Sequence, residues 1–179
     1  MNSKPAPLVG CWLLTPRVHA DARGQFVESF QKHRFEEQTG ASVDFIQDND
    51  VVSHQGVVRG LHLQNYPHGQ AKLIRVVHGE IYDVALDLRS DSSTYGEWFG
   101  VELSGENQTQ LFLPKGFAHG YSVLSERAIV QYKVDAPYNP QAENGIRFND
   151  PDLCIDWQVD NPKLSDKDQN LPFLKYLNS

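Results

Sequence analysis

Short runs of β-branched and aromatic residues, broken every few positions by Gly, Pro, Asn, Asp or Ser, recur through most of this chain. No other feature restricts its fold as much. Branched and ring side chains pack well on a pleated surface, while the breakers turn the backbone. The runs predict strands over 9–15, 43–51, 57–63, 73–78, 81–88, 98–103, 110–113, 120–124 and 129–134. Helical periodicity is scarce. Lys32–Thr39 reads as one short helix and 165–169 as a second, with Asp166 a candidate cap. The result is an all-β expectation, a barrel or sandwich built from hairpins. No repeat, low-complexity stretch or linker interrupts it, so residues 1–179 are expected to form one domain, long enough to bury a full core. The segment after Asn161 is expected to fold back, because Leu171, Phe173, Leu174 and Tyr176 need cover.

Charge narrows the partners. The formal net charge is -7, which argues against nucleic acid, whose binding needs a surplus of Lys and Arg to neutralise phosphates. A local basic cluster still leaves room for a small anionic ligand. No apolar run approaches a membrane span. Met1 to Gly10 lacks the charged and apolar regions of a signal peptide. Cys11 and Cys154 are too few and too isolated for a disulfide framework or a zinc site. A reduced, cytoplasmic setting is the expectation.

Chemistry enters with the polar residues embedded in these strands: Arg59, His62, Gln64, Lys72, Arg75 and Tyr132. An unpaired buried polar group costs about 1–3 kcal/mol, and a charge costs more. A small barrel tolerates several of them most economically as a wet ligand site. His62, with an ordinary pKa of about 6.5, is suited to taking a proton near neutrality. Tyr132, ordinarily near about 10, suits returning one to a carbanion or enolate. Lys72 suits a developing oxyanion, and the planar fork of Arg59 suits a phosphate. Period-two alternation puts Tyr132 on an inward face with Ala128, Val130 and Val134. It puts Arg59 and His62 on opposite faces, unless a bulge at Gly60 re-aims one of them.

Two motifs add a frame. Gly56-Val57-Val58-Arg59-Gly60-Leu61-His62-Leu63-Gln64 and Leu113-Pro114-Lys115-Gly116-Phe117-Ala118-His119-Gly120 resemble the paired motifs of the cupin superfamily, whose histidines usually hold a metal. Gln64 stands where the second histidine of the first motif is usual, and a carboxamide is a poor transition-metal ligand. The resemblance therefore implies a cupin-type double-stranded β-helix, a jelly-roll barrel with a few short helices, with no metal and no other cofactor.

A narrower resemblance spans nearly the whole chain. Its segments are Asp21-Ala22-Arg23-Gly24 with Phe26 and Glu28, Gln47-Asp48-Asn49, Arg59-Gly60-Leu61-His62, Lys72-Leu73-Ile74-Arg75-Val76, and Gly79 through Arg89. The Pro-x-Gly-x-x-His run, Tyr132-Lys133, Tyr138-Asn139-Pro140 with Glu143, Asn149-Asp150-Pro151 and Leu164 through Asp168 complete it. In order and spacing these resemble the dTDP-4-dehydrorhamnose 3,5-epimerases. That resemblance implies epimerisation at carbons 3 and 5 of dTDP-4-dehydro-6-deoxy-D-glucose, on the route to dTDP-L-rhamnose. His62 matches the general base, Asp168 the carboxylate paired with it, Tyr132 the acid on the opposite face of the sugar, and Lys72 the group near the 4-keto oxygen. Arg23, Phe26, Glu28, Gln47, Asn49, Arg59, His119, Glu143 and Lys167 match substrate contacts, and Tyr138 matches the ring stacked on thymine. A homodimer is implied, with residues 23–28 reaching into the partner's site.

Other readings stand beside this one. A mono-epimerase would act at carbon 3 or 5 only, on a related nucleotide 4-keto sugar. A metal-dependent cupin oxygenase or isomerase would need ligands that Gln64 does not supply. A non-catalytic sugar-nucleotide-binding barrel would not need a base at His62. Residue by residue, a strand histidine is more often structural, His119 also fits a turn after Gly116, and Tyr132 also fits a core tyrosine. Arg75 and Asp83 read as internal pairing partners, and His19, His33, His54, His68 and His78 as surface or loop residues.

Overall fold

The computed structural model describes residues 1–177. Thirteen strands follow in chain order: β1 Asn2–Pro5, β2 Trp12–Thr15, β3 Val18–Asp21, β4 Gly24–Val27, β5 Gln47–His54, β6 Val58–Gln64, β7 Lys72–His78, β8 Glu80–Asp87, β9 Trp98–Ser104, β10 Gln110–Leu113, β11 Phe117–Val123, β12 Arg127–Val134 and β13 Glu143–Gly145. Helices are few: α1 Lys32–Thr39, α2 Asp166–Gln169 and a 3-10 turn over Leu174–Tyr176. The strands form a six-stranded sheet ordered β1-β2-β10-β7-β12-β5 and a five-stranded sheet ordered β13-β6-β11-β8-β9. All named pairings are antiparallel. This is the all-β, cupin-type jelly roll that the sequence led us to expect.

Period-two alternation explains how the two sheets share a core. Ile74, Val76, Leu111, Leu113, Ala128 and Val130 face inward from one sheet; Ile81, Ala85, Leu103, Phe117, Tyr121 and Val123 meet them from the other. Tyr132 packs against this core on its expected inward face. Each sheet also buries its outer side. Residues after β13 cover the five-stranded sheet, where Ile146, Leu153 and Trp157 join Val58, Leu61, Val84 and Leu86. The indole N–H of Trp157 donates to the Phe148 carbonyl at 2.7 Å and that of Trp98 to Leu153 at 2.8 Å, so the cover is pinned by polar bonds as well. The tail folds back as expected. Leu171 is buried, Leu174 packs on the outer cluster, and the Arg147 guanidinium lies 4.7 Å from the Phe173 ring centre, though Tyr176 stays half exposed.

On the six-stranded sheet, α1 supplies the cover. Its start is capped by the Gln31 side chain, which accepts from the Arg34 N–H at 2.6 Å. Its end turns on Gly40 at φ 68, a left-handed conformation that costs glycine little. Fully buried Phe35 meets Phe112 at 4.9 Å and Phe45 at 5.6 Å, both edge-on.

Several predicted boundaries move. The strand expected over 43–51 is Gln47–His54, because Val43 and Phe45 pack against the Phe35 cluster instead. The run at 120–124 begins earlier, at Phe117, and that at 9–15 contracts to Trp12–Thr15. Strands β1, β3, β4 and β13 are absent from the sequence reading. They are short, and polar or exposed along most of their length, so they carry no alternation to detect.

Candidate active site

The site is built on the inner faces of the two sheets. On the five-stranded side, His62 pairs with His119, but Arg59 pairs with Tyr121. Two residues of β6, Gly60 and Leu61, thus stand against one of β11, Gly120, a bulge around Gly60. Cross-strand partners share a face, and His119 and Tyr121 are two apart on β11. The bulge therefore turns Arg59 onto the same inner face as His62, against the simple alternation. Glycine is required there. Its φ is +106, and a Cβ would stand 2.6 Å from both the Gly120 Cα and the His119 carbonyl oxygen.

On the six-stranded side, Tyr132 lies between Ile74 of β7 and Asn49 of β5. Lys72 shares the inner face of β7 with Ile74, and Gln47 shares that of β5 with Asn49. The Gln47 amide donates to the Asn49 side chain at 2.8 Å. His62 and Arg59 thus come from one sheet, and Tyr132, Lys72, Gln47 and Asn49 from the other.

His62 Nε2 lies 2.7 Å from Asp168 Oδ1. Asp168 sits on α2, whose N-cap is Ser165, with Asp166 the first helical residue rather than the cap. The Ser165 hydroxyl oxygen accepts from the Asp168 N–H at 3.1 Å. Burial works to raise the Asp168 carboxyl, but His62, the Gly60 N–H and Ser165 together hold it below the ordinary value. An ionised Asp168 fixes the Nε2 hydrogen and leaves Nδ1 of His62 with a free lone pair.

Around this pair the charges are tuned. Lys72 is part-buried on β7. Burial lowers it to about 8, with Asp83 and Glu143 opposing the shift. Burial raises Tyr132 above its ordinary value while Arg59 opposes, so its phenol stays protonated at neutral pH. Arg59 donates from Nε to the buried Ser53 hydroxyl at 3.0 Å. At the mouth Glu143 gathers Lys167, at 2.5 Å, and the Tyr138 hydroxyl. Burial would raise the Glu143 carboxyl, but Lys167 and Tyr138 hold it down. His119 is buried inside β11, its Nε2 2.8 Å from Asp83, so it is no turn residue.

Gln64 is spent on structure. Its amide donates to the carbonyls of His68 at 2.7 Å and Pro137 at 3.2 Å, and its oxygen accepts from the Asn139 N–H at 2.6 Å. Among the described residues no group of three or more His, Cys, Asp or Glu is placed to hold a metal ion.

Not every expected residue joins this cluster. Arg23 pairs with Asp21 at 2.6 Å and Glu28 with Arg34 at 2.6 Å, on or beside the β3–β4 hairpin. Phe26 on that hairpin is 68% exposed. None of the three bonds to the site within this chain. Arg75 corrects its reading as an internal partner: it lies on the outer face of β7, beside Ser29, Gln110, Gln131 and Lys133, with no ion pair or hydrogen bond among the described residues. Asp83 does pair internally, with His119. Tyr121 and Ser53 were missed; their only sequence signal is that they occupy inward positions on polar stretches of β11 and β5. The five remaining histidines are exposed, as read.

Fold and site together define a cupin-type barrel with a histidine–carboxylate pair on one sheet and a tyrosine and a lysine on the sheet opposite. A family model described as dTDP-4-dehydrorhamnose 3,5-epimerase matches residues 5–176. A dTDP-4-dehydrorhamnose 3,5-epimerase of Shigella flexneri is 50% identical, covering 95% of this chain and 94% of its own. The crystal structure of such an enzyme from Elizabethkingia anophelis superposes with a TM-score of 0.95 at 47% identity, covering 100% of this chain and 99% of that one. A dTDP-6-deoxy-D-glucose-3,5-epimerase from Legionella pneumophila, in complex with dTDP-4-keto-L-rhamnose, has a TM-score of 0.95 at 43% identity, covering 99% and 94%. The chain belongs to the dTDP-4-dehydrorhamnose 3,5-epimerase family.

Proposed function

We propose that this enzyme inverts carbons 3 and 5 of dTDP-4-dehydro-6-deoxy-D-glucose to give dTDP-4-dehydro-L-rhamnose, with His62 as base and Tyr132 as acid. The observation that carries the assignment of roles is the His62–Asp168 contact of 2.7 Å on one sheet, with Tyr132 and Lys72 on the sheet opposite. A 4-keto group acidifies the C–H bonds of its two neighbours. His62 Nδ1 takes the hydrogen from one face, and the C–H electron pair moves into an enolate. Lys72, while charged, holds the oxyanion. Tyr132 then returns a hydrogen to the same carbon from the other face, and the configuration inverts. Once His62 has released its proton to solvent and Tyr132 has regained one, repetition at the second carbon completes the reaction.

Arg59 and Lys167 are the cations for the diphosphate, Tyr138 the stacking ring for thymine, and Gln47, Asn49, His119 and Glu143 the remaining contacts from this chain. Arg23, Phe26 and Glu28 act in a partner's site. In support of that homodimer, their hairpin pairs only with itself and exposes Phe26. The reaction proceeds without metal or redox cofactor. The ring nitrogens of His62 and His119 nearest carboxylates are already bonded, and Gln64 has no free amide group to offer. No helix among the described residues is long and apolar enough to cross a membrane. Two unpaired cysteines suit a cytoplasmic setting.

Incubation with the dTDP-4-keto-6-deoxy sugar in deuterated water, followed by NMR, tests the reading. Deuterium is expected at both carbons, and His62→Ala is expected to slow its entry about 10²–10⁴-fold. Entry at one carbon alone would reduce the enzyme to a mono-epimerase. Unchanged entry in His62→Ala would remove the base.

A further inference from the structure

His62 and His119 stand directly opposite each other on β6 and β11, and each turns Nε2 to a different carboxylate. The two pairs differ in access. The side chains of His62 and Asp168 are 31% and 5% exposed, those of His119 and Asp83 8% and 0%. Asp83 comes from the inner face of β8, where it is the register partner of Tyr121. Both of its oxygens lie within bonding distance of the same nitrogen, Oδ1 at 3.0 Å and Oδ2 at 2.8 Å. Among the described residues no other hydrogen bond reaches this carboxylate.

A sealed carboxylate with a single neighbouring donor site needs that hydrogen, because a buried acceptor left unsatisfied is expensive. Nε2 of His119 therefore carries a hydrogen and donates it. Nδ1 makes no hydrogen bond, yet no buried side-chain nitrogen among the described residues lacks a partner. Nδ1 is thus not sealed in the core and is the ring nitrogen left for a ligand.

We propose that Asp83 is a positioning residue of this site: by accepting the Nε2 hydrogen it fixes the tautomer and rotation of His119 and presents Nδ1 to the sugar nucleotide. The inference rests on the reading of His119 as a substrate contact. Asp83 is closed off from any ligand and bears on the contact to the sugar nucleotide through the ring. Orientation by a carboxylate behind an imidazole is an established device at metal sites, where removing it costs about 10–100-fold. Here the oriented ring faces a ligand instead. The negative charge of Asp83 also favours the ammonium form of Lys72.

Nitrogen-15 correlation spectra of the imidazole rings in the unmodified enzyme test the tautomer, with the His119 signals assigned by their loss in His119→Ala. The hydrogen is expected on Nε2; finding it on Nδ1 overturns the proposal. Asp83→Asn offers the ring either a donor or an acceptor, so it is expected to abolish the single tautomer. It should also raise KM for dTDP-4-keto-6-deoxyglucose about tenfold, with the fold retained by circular dichroism. Added to His119→Ala, it should change KM no further; a full additional effect would show that Asp83 does not act through the ring. If Asp83→Asn fails to fold, the native spectrum alone decides. An unchanged KM in His119→Ala overturns the substrate contact. A raised KM there with an unchanged one in Asp83→Asn overturns only the role of Asp83.

Discussion

His62 and Lys72 reach readiness by opposite routes. His62 is prepared by a partner: Asp168 holds Nε2 and, in the proposed mechanism, thereby decides which nitrogen receives the substrate hydrogen. Asp168→Asn keeps the shape but can present an amide hydrogen to Nε2, so it favours the wrong tautomer. We expect kcat to fall about 10–100-fold with the fold intact, read by steady-state kinetics and circular dichroism. Lys72 is prepared by enclosure, which brings it down to about 8. A lowered lysine pKa means that the ammonium is lost earlier as pH rises. An oxyanion holder must be charged, so turnover should decline as pH climbs through about 8. Lys72→Met should lack that decline and run slowly throughout; a wild-type profile flat to pH 10 would count against the role. Residue types made His62, Lys72 and Tyr132 legible as chemistry in the sequence. Their companions were legible only through family likeness, since nothing in spacing joins Asp168 to a histidine 106 positions away.

Among elements, the bulge in β6 matters most. Without it Arg59 and His62 point apart; with it both lie on the inner face of the barrel. Gly60→Ala introduces a Cβ against rigid backbone on β11 at a positive φ. Overpacking of this kind costs about 1–3 kcal/mol, and the melting temperature should drop accordingly. Activity should fall further than the folded fraction does, because the site loses its alignment. The long hydrophobic strands and Lys32–Thr39 were readable from periodicity. Hidden were β3, β4 and β13, whose polar or very short runs leave no period to find. Helix α1 gives a second check. Phe35→Ala removes the ring around which Phe30, Phe45 and Phe112 gather, and a loss of about 3–5 kcal/mol is expected by urea unfolding.

For the molecule as a whole, the jelly roll follows from the alternating runs, but completion of the site, as proposed, needs residues from outside the chain's own barrel. Arg23, Phe26 and Glu28 stand apart from the cluster that the other predicted residues form. If a partner receives them, Phe26→Ala removes a contact that only the dimer makes, since the ring is mostly exposed in one chain. It should raise KM, weaken the dimer in sedimentation experiments and lower the melting temperature most at low protein concentration. A raised melting temperature or an unaltered KM would argue that the hairpin serves neither site.

Gln64 carries a consequence for redesign. One carboxamide ties together three backbone groups, at His68, Pro137 and Asn139, and Tyr138 lies between the last two. An imidazole in its place has at most two ring nitrogens and a different reach. Installing a histidine at position 64 to recreate a metal-binding barrel would thus first untie the loop that carries Tyr138. If that ring stacks on thymine as proposed, such a variant should bind the nucleotide more weakly before it gained a place for an ion.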